Sequence, residues 1–308
     1  MKYSLLPHQT NRLFMTDGGL ETTMIFHKGL ELPYFASFTL LNEPKGRDQL
    51  MDYFHGYLSV AEQHDCVMIL DTPTWRANAD WCELLGLDAT QAHRINTQAT
   101  ALMQTIQAGA PRTPSIISGC IGPRYDGYSA IQQMDQMDAF YYHLPQIESL
   151  TQAGVDIISA LTINYEQEAI GMVRAAQTCN IPIAISFTTE TDGRLPNGSS
   201  IESAIENVDK VTGYGPAYYM INCAHPQHFQ QALAAGEAWT RRIHGIRLNA
   251  SKKSHAELDA CETLDDGNPE ELAQQVKSLK SIHQGINIVG GCCGTDTRHL
   301  SAMLNLCA

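Results

Sequence analysis

The feature that most constrains this chain is a recurrence: short apolar segments rich in β-branched residues return after helical stretches from one end to the other. The first, Arg12-Leu13-Phe14-Met15-Thr16-Asp17-Gly18-Gly19, ends in an acid and two glycines and reads as a strand opening into a loop. Further strands are expected at 66–72, 115–120, 156–161, 182–188, 218–223 and 242–249. The last is 286–295, a strand that runs into a glycine-flanked pair of adjacent cysteines and then a helix start. Segments such as Cys66-Val67-Met68-Ile69-Leu70-Asp71-Thr72 are too uniformly apolar for a half-exposed strand and have the length of a fully buried parallel one.

Helical periodicity fills the intervals. Leu50, Tyr53, Phe54, Tyr57, Leu58 and Ala61 recur at helical spacing over 48–64, with Asp48 placed to cap the first turn. A long helical region reaches about Ala108, another covers about 131–153 with Pro145 as a kink, and a short helix begins at Ile201. The acidic stretch 257–271 reads as a loop and helix start after the seventh strand. Eight strands alternating with helices in 308 residues is the count of an α/β fold of one kind, the (β/α)8 TIM barrel. A doubly wound open sheet is the alternative, but it has no reason to stop at eight strands, and no G-x-G-x-x-G follows the first. No composition shift or linker divides the chain, so one domain is expected over 1–308.

A formal charge of −13 argues against nucleic acid or an anionic membrane surface as partner, since both need clustered Lys and Arg. Small-molecule chemistry fits better. The N-terminal apolar run is too short for a signal peptide and no stretch approaches the ~20 apolar residues of a membrane span, so a cytoplasmic location is expected. Nine cysteines, an odd number without an export signal, are then read as reduced thiols rather than a disulfide framework.

In such a barrel the loops after the strands gather on one face. Cys223 follows the sixth strand and Cys292 and Cys293 follow the eighth, so three thiols remote in sequence are expected to converge. Three thiolates around Zn²⁺ leave one tetrahedral position open, the arrangement of a catalytic zinc, and an open position on a thiolate-rich zinc suits a sulfur substrate. The plain alternative is that cysteine is simply a common core residue, the reading given to Cys66, Cys82, Cys120, Cys179, Cys261 and Cys307. His225 is weighed as a substitute for one sulfur and read instead as a surface or capping residue before Pro226. A Schiff-base aldolase on Lys252 or Lys253 and a zinc or redox sensor without turnover are the rival functions. The first leaves the cysteines unexplained.

With those residues assembled, Gly290-Gly291-Cys292-Cys293-Gly294-Thr295, Ile221-Asn222-Cys223 and Asp17-Gly18-Gly19-Leu20-Glu21-Thr22 together resemble the zinc-dependent homocysteine S-methyltransferase family. Gly119-Cys120-Ile121-Gly122-Pro123 and Ser186-Phe187-Thr188 resemble its other strand-end signatures. The resemblance implies a (β/α)8 barrel, zinc on Cys223, Cys292 and Cys293, and methyl transfer to the sulfur of homocysteine. It also implies that Asp17 with the backbone of Gly18 and Gly19 holds the amino-acid end of the substrate, and that Thr72, Trp75 and Arg76 occupy the strand-two substrate signature. The donor would be S-methylmethionine, S-adenosylmethionine or a betaine-like amine, with Trp75, Tyr125 and Tyr128 as candidate aromatic walls.

This chain also departs from the family pattern. Leu161 stands where a glutamate usually contacts the substrate amino group, and Arg76 brings a cation into the strand-two signature, Thr72-Pro73-Thr74-Trp75-Arg76. The usual loop after the seventh strand is replaced by Asn249-Ala250-Ser251-Lys252-Lys253-Ser254. The changes point to retained zinc–thiolate chemistry with recognition shifted toward a more anionic or amine-free thiol. Glu166 and Glu168 are read as helix-surface residues rather than replacements for the missing carboxylate. Arg76 has two readings, a substrate contact or a partner of Asp71 or Asp80.

Overall fold

The computed structural model describes residues 2–233 and 236–307. Eight parallel strands close into a barrel in sequence order: β1 (Phe14–Met15), β2 (Val67–Asp71), β3 (Ser115–Ile121), β4 (Ile157–Ile163), β5 (Ile183–Phe187), β6 (Tyr218–Ala224), β7 (Ile243–Leu248) and β8 (Ile288–Gly291). The closure is short. β1 pairs Phe14 with Val67 on one side and with Ile288 on the other.

Apart from half-buried His244 on β7, the strands are buried on both faces, which is why the sequence shows runs of apolar residues rather than alternation. Side chains on alternate positions still part company. Phe14, Val67, Ile69, Ile116, Ile157, Tyr218 and Ile288 fill the barrel interior, while Met15, Met68, Leu70, Ile117, Ile158 and Val289 face the surrounding helices. Near the C-terminal ends of the strands the interior layer includes Cys120 and Leu161, and there the packed core gives way to a cavity.

The helices are α1 (Leu20–Thr22), α2 (Pro44–Gln63), α3 (Ala79–Leu84), α4 (Ala89–Gly109), α5 (Gln136–Ala153), α6 (Glu166–Thr178), α7 (Ile201–Thr212), α8 (Pro226–Leu233), α9 (His255–Asp259), α10 (Pro269–Ile282) and α11 (Thr297–Cys307). Three boundaries differ from the sequence reading. Helix α2 begins at Pro44 behind Glu43, leaving Asp48 inside it, because proline's fixed φ and missing N–H suit the first helical position. The long region to Ala108 is two helices: Gly86 turns the chain at φ 73°, and Asp88 and Gln91 form a reciprocal capping box that starts α4. Helix α5 starts at Gln136, where the Asp135 carboxylate accepts from the N–H groups of Met137 and Asp138, and Ile131 lies outside it, 93% exposed. Pro145 lies within α5. Among the described residues no helix is long and apolar enough to cross a membrane.

Candidate functional site

Because β1 and β8 are neighbours, the loops that follow them abut. The Gly291 N–H donates to the Asp17 carbonyl at 2.9 Å and the Gly19 N–H to the Thr295 carbonyl at 3.1 Å. A Cβ on Gly19 would stand 2.7 Å from the Cys292 carbonyl oxygen, and one on Gly291 3.0 Å from the Gly18 Cα. The Asp-Gly-Gly and Gly-Gly-Cys-Cys-Gly motifs are therefore two halves of one backbone contact that only glycine permits.

Cys223 reaches the same place from the far side through an irregular strand end. Its φ is 52°, and the β6–β7 register shifts between Asn222 and Ala224; Thr162 at the end of β4 has φ 64° beside a second shift. Such left-handed positions are unfavourable for residues with a Cβ and persist where neighbours enforce them. Asn222 does this from the middle. Its Oδ1 accepts from Thr162 N at 2.9 Å and Ser186 Oγ at 2.6 Å, its Nδ2 donates to Thr162 Oγ1 at 2.9 Å, and Asn249 Nδ2 donates to the Cys223 carbonyl at 3.0 Å.

The outcome is that the sulfurs of Cys223, Cys292 and Cys293 lie within 4.8 Å of one another. The expectation of reduced thiols throughout fails at one pair: Cys223 and Cys292 are joined as a disulfide in this structure, their Cα atoms 5.3 Å apart. That separation lies in the ordinary bridging range, so the convergence that assembles three soft donors also lets two of them bond to each other. Cys293 remains a thiol and accepts a hydrogen bond from the Tyr128 hydroxyl. Burial pushes its pKa up to about 11.

The three sulfurs face a cavity of about 370 Å³ at the C-terminal end of the barrel. Asp17, Gly18, Gly19, Thr72, Trp75 and Arg76 all border it, as does Leu161. Two of them are already committed elsewhere. Thr72 Oγ1 accepts from Cys120 N at 2.9 Å and lies 2.6 Å from Thr74 Oγ1, stitching β2 to β3. Asp17 accepts from Tyr53 OH at 3.0 Å and from Arg247 Nη2 at 2.6 Å. Arg247, fully enclosed on β7, also donates to Asp71 through Nη1 and to the Gly291 carbonyl at 3.3 Å through Nε. The sequence reading missed Arg247, Asn222 and Tyr53. A lone arginine inside an otherwise apolar strand, Ile243-His244-Gly245-Ile246-Arg247-Leu248, was the available signal for the first.

Arg76 pairs with neither Asp71 nor Asp80, because Arg247 holds the former and Arg124 the latter at 2.7 Å. Glu168 is not a surface residue: it is fully buried, its Oε1 accepting from Arg124 N at 2.8 Å and lying 2.9 Å from His143 Nε2, and it stands apart from the cavity. Glu166 accepts from Asn197 Nδ2 at 2.8 Å. His225 is buried rather than superficial, held neutral by that burial with a pKa near 4, and its Nδ1 accepts from Gln227 N at the start of α8. Lys252 and Lys253 make exposed ion pairs with Glu271 and with Asp265, and neither lysine borders the cavity, although Asp265 does. Of the cysteines read as incidental, Cys120 and Cys261 prove to border the cavity.

A sequence profile described as "Homocysteine S-methyltransferase" matches residues 14–307. Homocysteine S-methyltransferase 1 of Arabidopsis thaliana is 25% identical over 59% of this chain and 55% of its own length, so the match spans about half of that relative. Homocysteine S-methyltransferase YbgG of Bacillus subtilis (strain 168) is 23% identical, with 94% of this chain and 93% of its own length covered. Among solved structures, the homocysteine methyltransferase MmuM from Escherichia coli superimposes with a TM-score of 0.75 in its oxidized form, at 17% identity over 97% of each chain. Its metallated form gives 0.74, at 18% identity over 96% of each. At these identities the structures attest the fold, and the profile match attests the family: over nearly its whole length the chain belongs to the homocysteine S-methyltransferase family.

Proposed function

We propose that the protein is a zinc-dependent S-methyltransferase in which Cys223, Cys292 and Cys293 hold the metal. The cavity beside them takes a thiol acceptor and a sulfonium or quaternary amine donor, and homocysteine is the acceptor that the family indicates. The observation that carries this reading is the convergence of three sulfurs, mutually within 4.8 Å, on the mouth of the barrel. Their number and softness match a catalytic zinc with one open position. When bound, zinc supplies Lewis acidity that keeps an incoming thiol, with an ordinary pKa of ~8.5, deprotonated at neutral pH.

The rest falls to the chain's own residues. Cys223 and Cys292 ligate only as thiolates, so reduction of their disulfide precedes metal loading, and a compartment that keeps thiols reduced, the cytoplasm, suits the activity. Asn222 and Asn249 fix the backbone that aims Cys223, and the Tyr128 hydroxyl stabilises negative charge on Cys293. Leu161, Phe26 and Leu258 supply apolar wall that thins water around the reacting sulfur, while the aromatic rings of Trp75 and Tyr128 border the space open to a cationic donor. Residues 1–308 act as one catalytic domain, with small molecules rather than nucleic acid or membrane as partners.

The test is metal content and turnover on reduced protein, using a panel of thiols and methyl donors. Wild-type protein should hold one zinc per chain, and Cys292→Ala should lose the metal and at least about 100-fold in rate. Metal-free protein that transfers methyl groups, or full activity in Cys292→Ala, would falsify the proposal.

A further inference from the structure

Arg76 stands out among the groups bordering the cavity, because no carboxylate is paired with it. It follows β2 on the loop before α3 and is 92% buried, with a relative exposure of 8%. Its guanidinium lies between two indoles, 4.0 Å from the Trp75 ring centre and 3.9 Å from that of Trp81. Nη1 donates to the Tyr125 carbonyl at 3.0 Å, and Nε, buried, has no partner. Among the described residues no carboxylate lies within ion-pair distance of it. Glu21 and Asp126 feel its charge from beyond that distance, and their hydrogen bonds go to Ser37 Oγ at 2.8 Å and to Tyr128 N at 2.6 Å rather than to Arg76. Burial lowers the Arg76 pKa to about 10, which leaves the side chain cationic at neutral pH.

A guanidinium enclosed by two indoles, with a buried Nε–H that no protein group accepts, is suited to an anion, since guanidinium N–H groups match the oxygens of a carboxylate. We infer that Arg76 binds a carboxylate-class anion of a substrate, and so selects acceptors or donors that carry one over analogues that lack it. The inference rests on the proposed methyltransferase reading for the identity of that substrate as thiol or methyl donor. It does not rest on it for the anion site itself. Arg247 cannot play this part, because two carboxylates already satisfy it.

The measurement is binding to zinc-loaded full-length protein, read by tryptophan fluorescence; two of the three tryptophans flank Arg76. The thiol arm compares 3-mercaptopropionate with its methyl ester, and the donor arm compares glycine betaine with choline. In at least one arm the carboxylate-bearing member should bind about tenfold tighter or more, and Arg76→Gln should bring the two members to within about twofold. The arm that discriminates identifies which substrate carries the anion. Propionate should compete with the carboxylate-bearing ligand in wild-type protein while propionamide does not, a check that needs no variant to fold. Equal binding within both pairs, discrimination that survives Arg76→Gln, or no competition by propionate would each overturn the inference. Discrimination without methyl transfer from any donor would leave the anion site standing and overturn the proposed function alone.

Discussion

Two arginines border the same cavity, both buried, and they are compensated in opposite ways. Arg247 is gripped by Asp17 and Asp71 and donates to the backbone of Gly291, so it links the ends of β1, β2, β7 and β8. Arg76 has indoles against it, a single carbonyl partner and, among the described residues, no acid within ion-pair distance. A buried charge with its counter-ions in place belongs to the scaffold, and removing it strands the partners. A buried charge without them has only cation–π contacts to set against its desolvation, and it stays open to an anion that arrives later. The floor of the cavity is thus a closed electrostatic unit, and one wall is an open one.

The largest effect should come from opening the closed unit. Arg247→Met leaves two carboxylates buried without their cation, and the expected loss is about 3–5 kcal/mol in urea unfolding, enough to threaten folding. Neutralising the acids together with the arginine, in the triple variant with Asp17→Asn and Asp71→Asn, should recover most of that loss. Failure to recover would mean that Arg247 acts by packing rather than charge.

The next effect is a pH dependence written into the same unit. Two carboxylates share one guanidinium, and burial pushes the Asp17 pKa from 3.8 up to about 7 against the pull of Arg247. Over that interval the folded protein keeps a proton that the unfolded chain has released. The stability from this group is therefore complete below about pH 4, declines as pH rises and is gone above about pH 7. Urea midpoints of wild type measured against Asp17→Asn should converge or cross as pH rises through this window. A constant gap would show that Arg247 already compensates both acids in full.

The contrast between the arginines also shows what was legible in the sequence. All eight strands could be read, because fully buried parallel strands leave unbroken apolar runs such as Val67-Met68-Ile69-Leu70 that need no partner to be recognised. The barrel count then placed Cys223 opposite Cys292 and Cys293 across 69 residues, a contact no local pattern contains. Ion pairing was not legible. Asp17 and Arg247 are separated by 230 positions, and whether Arg76 faced an acid depended on which cation had already taken Asp71 and Asp80. Backbone irregularity was equally hidden: nothing in Ala160-Leu161-Thr162 or Asn222-Cys223 signals a left-handed strand end in residues that carry a Cβ. The disulfide followed the same logic, since proximity is set by the barrel while sequence offers only the count of cysteines.

A smaller effect tests the edge of the closed unit. Tyr53 donates one hydrogen bond to Asp17 from α2. Tyr53→Phe keeps the ring and its contacts with Phe54 and Tyr57, so the loss should be about 1 kcal/mol, a value that calorimetry or urea unfolding can resolve.

The smallest expected change in stability is at Arg76, and there the comparison is decided. If its charge were structural, Arg76→Gln would cost as much as opening the other unit. The unpaired guanidinium instead gains cation–π attraction from Trp75 and Trp81 and loses hydration, two contributions of opposite sign, so the variant should stay within about 1 kcal/mol of wild type. A loss near that of Arg247→Met would place Arg76 in the scaffold and leave its missing counter-ion unexplained. Near-neutral stability combined with lost discrimination between ligands with and without a carboxylate assigns the cost of keeping Arg76 buried to recognition.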